Sequence, residues 1–233
     1  MTDVSASVRP GRPRSEPAWR AVLEAVDDLL VEVGYAAMTI KGIAERAGVS
    51  RQTVYRWWST KAEILLEACV EDAAEELATR ARPDPVEDLC SYVKSLSRFL
   101  TGSPAGLAYR ALVGEAQHDP AVRELVAGAD VLGPTTRAVL SRVRPVAPGM
   151  PEPALASAQL TGPVLSQVLT TSKPLSTRAL RTHVTTLLTA WQHPVQRKRL
   201  TTTPENSSAW VFTDSDRRGG SSEGPARRLR RRG

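Results

Sequence analysis

Between Thr39 and Glu63 the chain places three hydroxyl residues, Thr39, Ser50 and Thr60, each just ahead of a short helix-forming run, with Gly48 before the second of them. A side-chain oxygen ahead of a helix accepts from the unpaired N–H groups of its first turn, so each position predicts a helix start. Thr60 and Glu63 form a T-x-x-E capping box, which reinforces the third start. Gly48 stands where the chain turns sharply, at a positive φ that other residues resist. Ile43, Ala47 and Val54 then hold the two short helices against each other. The pattern is a helix-turn-helix.

The rest of the chain reads as helix too. Of its residues 41% are hydrophobic and only 5% aromatic, and the apolar content is alanine, leucine and valine, which suits helices better than sheets. A first helix is predicted from about Pro17, with Trp19, Val22, Leu23, Val26, Leu29, Leu30 and Val33 at helical spacing and Gly34 as its stop. The fourth is predicted to run from Thr60 to about Arg82. Further helices are expected at about 86–101, 104–117, 120–143, 152–171 and 176–192. Gly128 and Gly133–Pro134 leave the 120–143 segment open to division into two. Proline at 163 predicts a kink in the segment around it.

The expected architecture is all-α. A disordered basic arm (1–16) precedes a helix-turn-helix domain (17–62), an α-helical domain (63–192) and a disordered basic tail (193–233). No apolar run approaches the length of about 20 residues that spans a bilayer, and the N-terminus lacks a secretory h-region. Cys69 and Cys90 do not form a Cys-x-x-Cys pair, so a reduced cytoplasmic setting is expected, with both as packing residues or, alternatively, redox-sensing thiols.

The net charge of +6 is unevenly placed. The tail from His193 carries ten basic and four acidic residues, and the body excluding the arm and tail is near neutral. Within that body, residues 39–61 hold Lys41, Arg46, Arg51, Arg56 and Lys61 against Glu45 alone. A basic island on a neutral body predicts a local anion-binding face. The second helix of the pair leaves Arg51, Gln52, Thr53, Tyr55 and Arg56 largely clear of the core. A major groove admits such a helix, where Arg bridges guanine and Gln bridges adenine. Tyr55 and Lys61 have the reach for phosphates, which set register without reading sequence. The N-termini at Thr39 and Thr60 add backbone N–H groups. Helix pairs of this kind also occur in proteins that never touch DNA, so the charge and the caps carry the distinction.

The run "TIKGIAERAGVSRQTVYRWWSTKAEIL" resembles the DNA-binding region of the TetR family, the tetracycline-repressor-like regulators. Thr39, Ile43, Ala44, Ala47, Gly48, Val49, Ser50, Thr53, Tyr55, Trp57, Trp58 and Lys61 fall on the family pattern. Trp58 departs from it, since phenylalanine is commoner there, and is expected in the core beneath the recognition helix. The resemblance implies that Thr39, Tyr55, Trp57 and Lys61 contact phosphates while Arg51, Gln52 and Thr53 approach bases. Arg56 would sit on the rim, and a packed role for Trp57 stays open. In "RPGRPRS", Arg9, Arg12 and Arg14 resemble a minor-groove arm, with a solvated linker as the alternative.

A single helix-turn-helix reads few base pairs, so a homodimer on a palindromic double-stranded operator is expected. Leu180, Val184, Leu187, Leu188 and Trp191 form an apolar stripe, and the preceding segment carries Leu160, Val164, Leu165, Val168 and Leu169, interrupted by Gly162–Pro163. These two segments resemble the last helices of TetR-family C-terminal domains, which pair as a four-helix bundle. The resemblance implies that Leu160, Val164 and Val168, with the five residues of the Leu180–Trp191 stripe, form the dimer seam, with an ordinary monomer core as the alternative. It also implies a repressor released by a small-molecule effector, bound within 86–171. Tyr92, Phe99, Tyr109 and Gln117 are the candidate lining, each equally readable as packing. No cofactor, metal or membrane partner is expected.

His118, His183 and His193 lack metal-ligand spacing, and no nucleophile elbow, P-loop or dinucleotide fingerprint is present in the sequence. Catalysis is therefore not expected. The rival reading is a constitutive DNA or RNA binder driven by the basic tail, holding phosphates without sequence preference or a ligand switch.

Overall fold

The computed structural model describes residues 15–193. Among these residues there are ten α-helices and no strand: α1 (Glu16–Ala37), α2 (Ile40–Arg46), α3 (Arg51–Tyr55), α4 (Lys61–Glu76), α5 (Pro85–Gly102), α6 (Pro104–Glu115), α7 (Pro120–Ala129), α8 (Gly133–Val143), α9 (Pro153–Thr171) and α10 (Thr177–Gln192), with a single 3-10 turn at Arg144–Val146. The all-α architecture expected from the sequence is the one observed. None of these helices is long and apolar enough to cross a membrane.

The local signals act where they were expected. Thr39, Ser50 and Thr60 each accept from a first-turn N–H, those of Gly42, Thr53 and Glu63. The Glu63 carboxylate reaches back at 2.6 Å to the N–H of Ser59, one residue outside the ideal capping box. Gly48 turns the chain at φ 66° and Gly34 breaks the helical path of α1 at φ 75°, a region that a β-carbon disfavours. The divided reading of 120–143 holds: Asp130 ends α7 in the left-handed conformation, and α8 starts at Gly133. Helix α9 continues through Pro163 as one element. Helix α4 is shorter than its pattern predicts. Leu77, 1% exposed, turns into the core, and Arg142 of α8 donates to the Thr79 hydroxyl, so tertiary contacts end the helix before Arg82.

Helices α1 and α4 both pack on α6, while α5 lies against α6, α8, α9 and α10. One continuous hydrophobic core therefore links the helix-turn-helix to the remaining helices. A polar contact crosses it: Asp88, 2% exposed, receives Nε and Nη2 of Arg142 at 2.8 and 3.0 Å. A carboxylate buried this deeply persists only because a guanidinium fork satisfies it. Cys69 and Cys90 are free thiols in the core, and burial pushes the Cys69 thiol up to about 12, with Asp72 and Asp27 adding to the effect.

The expected dimer seam is corrected here. Leu160, Val164, Val168, Leu180, Val184, Leu188 and Trp191 are buried inside a single chain, and Leu187 is half-buried. Trp191 donates its indole N–H to Gln159 of α9 at 2.9 Å, and His183 contacts the Leu160 carbonyl at 3.1 Å. An apolar stripe is satisfied by the first complementary face available, and α5 and α9 of the same chain supply it. The faces of α9 and α10 left in solvent are different ones.

Candidate nucleic-acid interface

Helix α3 is held from behind and open in front. Val54 is fully buried, and Trp58, three residues past the helix, is 3% exposed. Arg51, Gln52, Tyr55 and Arg56 stand in solvent, Tyr55 at 58% exposure. Thr53 is only half-buried. Its hydroxyl lies 2.9 Å from that of Ser50, so the cap and the side chain three residues on share a hydrogen bond. Trp57 is half-buried, edge-on to Trp58 with centroids 5.5 Å apart, and the Arg56 guanidinium lies 5.4 Å from the Trp57 ring centroid. That contact holds Arg56 along the outer edge of α3 while leaving its N–H groups available.

The anchorage of this unit is a feature that sequence reading missed. Glu67 on α4 accepts from the Trp58 indole at 2.5 Å through one oxygen and from the Trp19 indole of α1 at 2.8 Å through the other. One carboxylate thus joins α1, α4 and the residue behind α3. An acidic residue one turn beyond the capping box, opposite two tryptophans, was the available signal.

The basic island is less uniform than its sequence suggests. Arg46 lays its guanidinium fork on Glu32 of α1, with Asp28 at 3.4 Å, and that hydrogen bond holds the Glu32 carboxyl below its usual range. Lys41 pairs with Glu45 at 3.7 Å. Lys61 is placed differently from the phosphate role expected of it. Its ammonium donates to the carbonyls of Tyr35 and Met38 at 2.7 and 3.1 Å and sits 4.2 Å from the Tyr35 ring centroid. Unpaired carbonyls at a helix C-terminus attract cations. An ammonium has three donors, so one remains. The positive charge open to a ligand is therefore concentrated at Arg51 and Arg56. Thr39 is exposed, its oxygen accepting the Gly42 N–H at 3.1 Å while its own proton stays free to donate. Arg9, Arg12 and Arg14 lie outside the described residues, as does the basic tail.

The four candidate effector-lining residues do not share a cavity. Tyr92 and Phe99 are core residues, 0% and 1% exposed, and the Tyr92 hydroxyl meets that of Thr136 at 2.5 Å. Tyr109 lines a cavity of about 560 Å³ between α6, α8 and α9, with Thr136, Thr161 and Leu165. Burial raises the Tyr109 phenol to about 12, Cys69 and Tyr92 adding to the shift. Gln117 instead lines a separate cavity of about 610 Å³ with Tyr35 of α1 and Leu169 of α9. Aromatic residues at helical spacing mark a face, and here α5 turns that face inward.

Comparison with known proteins places this geometry. Residues 22–68 match the model of bacterial regulatory proteins of the tetR family, and residues 82–187 match the tetracyclin repressor-like C-terminal domain. The chain is 40% identical over 114 residues to YdeS, an uncharacterised HTH-type transcriptional regulator of Bacillus subtilis, covering 49% of this chain and 57% of that protein. It is 31% identical over 98 residues to an uncharacterised HTH-type regulator of Mycobacterium tuberculosis, covering 42% of this chain and 48% of that one. The chain thus spans about half the length of the curated relatives it matches. Among solved structures, the TetR family regulator SCO0332 superposes with a TM-score of 0.62 at 26% identity, covering 75% of this chain and 98% of that chain. The multidrug binding protein EbrR, complexed with ethidium, shares the fold with a TM-score of 0.55 at 23% identity, covering 74% and 99%. Two models of one family that together take in most of the chain, and a regulator fold matched over 75% of it, establish that the chain belongs to the TetR family of bacterial regulatory proteins.

Proposed function

We propose that this protein is a transcriptional repressor that binds a palindromic DNA operator as a homodimer and is released by a small-molecule effector. The observation that carries the reading is α3 itself: a capped helix, buried behind at Val54 and Trp58, that leaves Arg51, Gln52, Tyr55 and Arg56 in solvent. Arg51 and Gln52, at its N-terminal end, read base edges in the major groove, and Thr53 follows them. Tyr55, Thr39, Trp57 and the remaining donor of Lys61 take phosphates, with Arg56 at the rim.

Dimerisation uses the outer faces of α9 and α10. Leu155, Ala158, Gly162, Ser166 and Leu169 follow one another at helical spacing, and Leu155 and Leu169 are 48% and 41% exposed. Small residues between two leucines allow a second helix to approach closely. The effector enters the cavity beside Tyr109, whose walls come from α6, α8 and α9. Helix α6 also packs on α1 and α4, so a ligand that moves α6 displaces the DNA-reading unit. The like-folded EbrR holding ethidium supports a small-molecule ligand here. Release by tenfold needs the ligand to prefer the DNA-incompetent state by about 1.4 kcal/mol.

Genome-wide recovery of DNA bound by the purified protein tests the reading. A palindromic site enriched over scrambled competitor at moderate ionic strength is the expected result. Recovery without sequence preference, abolished by deleting residues 194–233, would instead establish a tail-driven phosphate binder.

A further inference from the structure

One face of α5 carries Lys94 and Arg98 above a cavity of about 640 Å³ that opens between α5 and α10. Arg82, from the segment ahead of α5, joins them on its wall. Lys94 is half-buried, and neither it nor Arg82 makes an ion pair or hydrogen bond among the described residues. Arg98 spends one N–H on the Ser95 hydroxyl at 3.2 Å and is otherwise free among those residues. Among the described residues Glu87 is the one carboxylate on the lining, and it is already paired with Arg181 of α10. Its carboxyl is held below the ordinary range by the Arg181 hydrogen bond, and then by Lys94 and Arg82, which places these cations within electrostatic reach of the same space. Ser97 lines the cavity too. It is 4% exposed, and its hydroxyl makes no hydrogen bond among the described residues. Leu175 and Leu180 close the apolar side.

Three cations around one neutralised carboxylate leave the cavity with a positive surplus. A half-buried ammonium without a direct ion pair among the described residues is costly, and that cost falls when an anion enters. Guanidinium groups offer planar donor pairs that match carboxylate and phosphate oxygens. The volume lies within the range of small-molecule sites, about 300–1,000 Å³, and combines charged donors with an apolar wall.

We propose that the cavity between α5 and α10 is a binding site for a small organic anion, a carboxylate or phosphate monoester carried on a short apolar body. The charged group lies against Lys94, Arg82 and Arg98, and the body lies on Leu175 and Leu180. The site is separate from the cavity beside Tyr109 and does not rest on the DNA-binding reading.

Calorimetric titration of the full chain with octanoate, octyl phosphate and octanol tests this. At least one of the two anions binds about tenfold or more tightly than the neutral alcohol, and which of them does so identifies the headgroup. The Arg82→Gln/Lys94→Gln double variant weakens that anion about tenfold or more. Glu87→Gln acts in the opposite direction and tightens it, because the competing carboxylate is gone and Arg181 is released. A fold damaged by substitution does not produce changes of opposite sign. Octanol binding as tightly as both anions, unchanged affinity in the double variant, or failure of Glu87→Gln to tighten binding would each overturn the site.

Discussion

The indole N–H of Trp58 donates to Glu67 at 2.5 Å, and the other oxygen of the same carboxylate receives Trp19 at 2.8 Å. The residue packed behind the recognition helix is thus tied to both α4 and α1. Orientation of α3 is consequently a property of three helices rather than of its own five residues. Glu67→Ala leaves two part-buried indole donors without this partner, and a lost hydrogen bond to a charged group costs about 1.5–3 kcal/mol. The expected outcome is a stability loss of that size in urea unfolding. DNA affinity should fall alike for operator and mismatched duplexes, as measured by fluorescence anisotropy. A change of base preference would instead mean that Glu67 acts on α3 register.

Base reading is expected at Arg51 and Gln52, exposed at the start of α3 with the Ser50 cap behind them. Arg51→Ala and Gln52→Ala should each remove about 1–3 kcal/mol of discrimination at one operator position and leave binding to random duplex nearly intact. Competition binding against single-position operator variants measures this. Uniform weakening at every position would move the residue to the phosphate class.

Lys61 should show two effects at once. Its ammonium bridges the Tyr35 and Met38 carbonyls at the end of α1, so Lys61→Ala is expected to cost about 2 kcal/mol of stability. With its remaining donor assigned to phosphate in the proposed function, affinity should also weaken for every sequence and the salt dependence should flatten. Denaturant midpoints and a salt titration of the same variant separate the contributions. Loss of affinity with full stability would show that the carbonyl contacts carry no folding energy.

Asp27 of α1 predicts a pH effect. Its Oδ1 is buried without a hydrogen-bond partner among the described residues, and burial raises its pKa from 3.8 to about 6, with Asp72 and then Asp28 adding to the shift. A carboxyl raised in the fold is favoured when protonated, so its penalty is absent in acid below the unfolded value. The penalty grows as pH rises through the interval from 3.8 to about 6, and is constant above it. Asp27→Asn should therefore stabilise the protein by about 1 kcal/mol near neutral pH, after allowing for partial solvent screening. The gain should vanish below about pH 4. Urea unfolding of parent and variant across that range checks both parts, and a gain that persists in acid would contradict ionisation as its cause.

Much of the architecture is legible in the sequence. Thr39, Ser50 and Thr60 start their helices through their own hydroxyls, and Gly48 supplies the positive φ of the turn. These interactions span three or four residues, so local sequence contains both partners. The candidate effector residues were less legible. Tyr92 and Phe99 face the core while Tyr109 and Gln117 face two different cavities, because helical spacing identifies a face without identifying what covers it.

From its own residues the chain determines the number and type of the described helices in outline, the turn between α2 and α3, and the exposed edge bearing Arg51 and Gln52. Tertiary structure alone decides that Leu180, Val184 and Leu188 face their own chain, that Lys61 turns to two carbonyls of α1, and that Glu67 joins Trp19 to Trp58. The physical reason is the range of the interactions. Caps and glycine conformations act between near neighbours, whereas burial and long-range hydrogen bonds depend on which distant helix arrives to meet a given face.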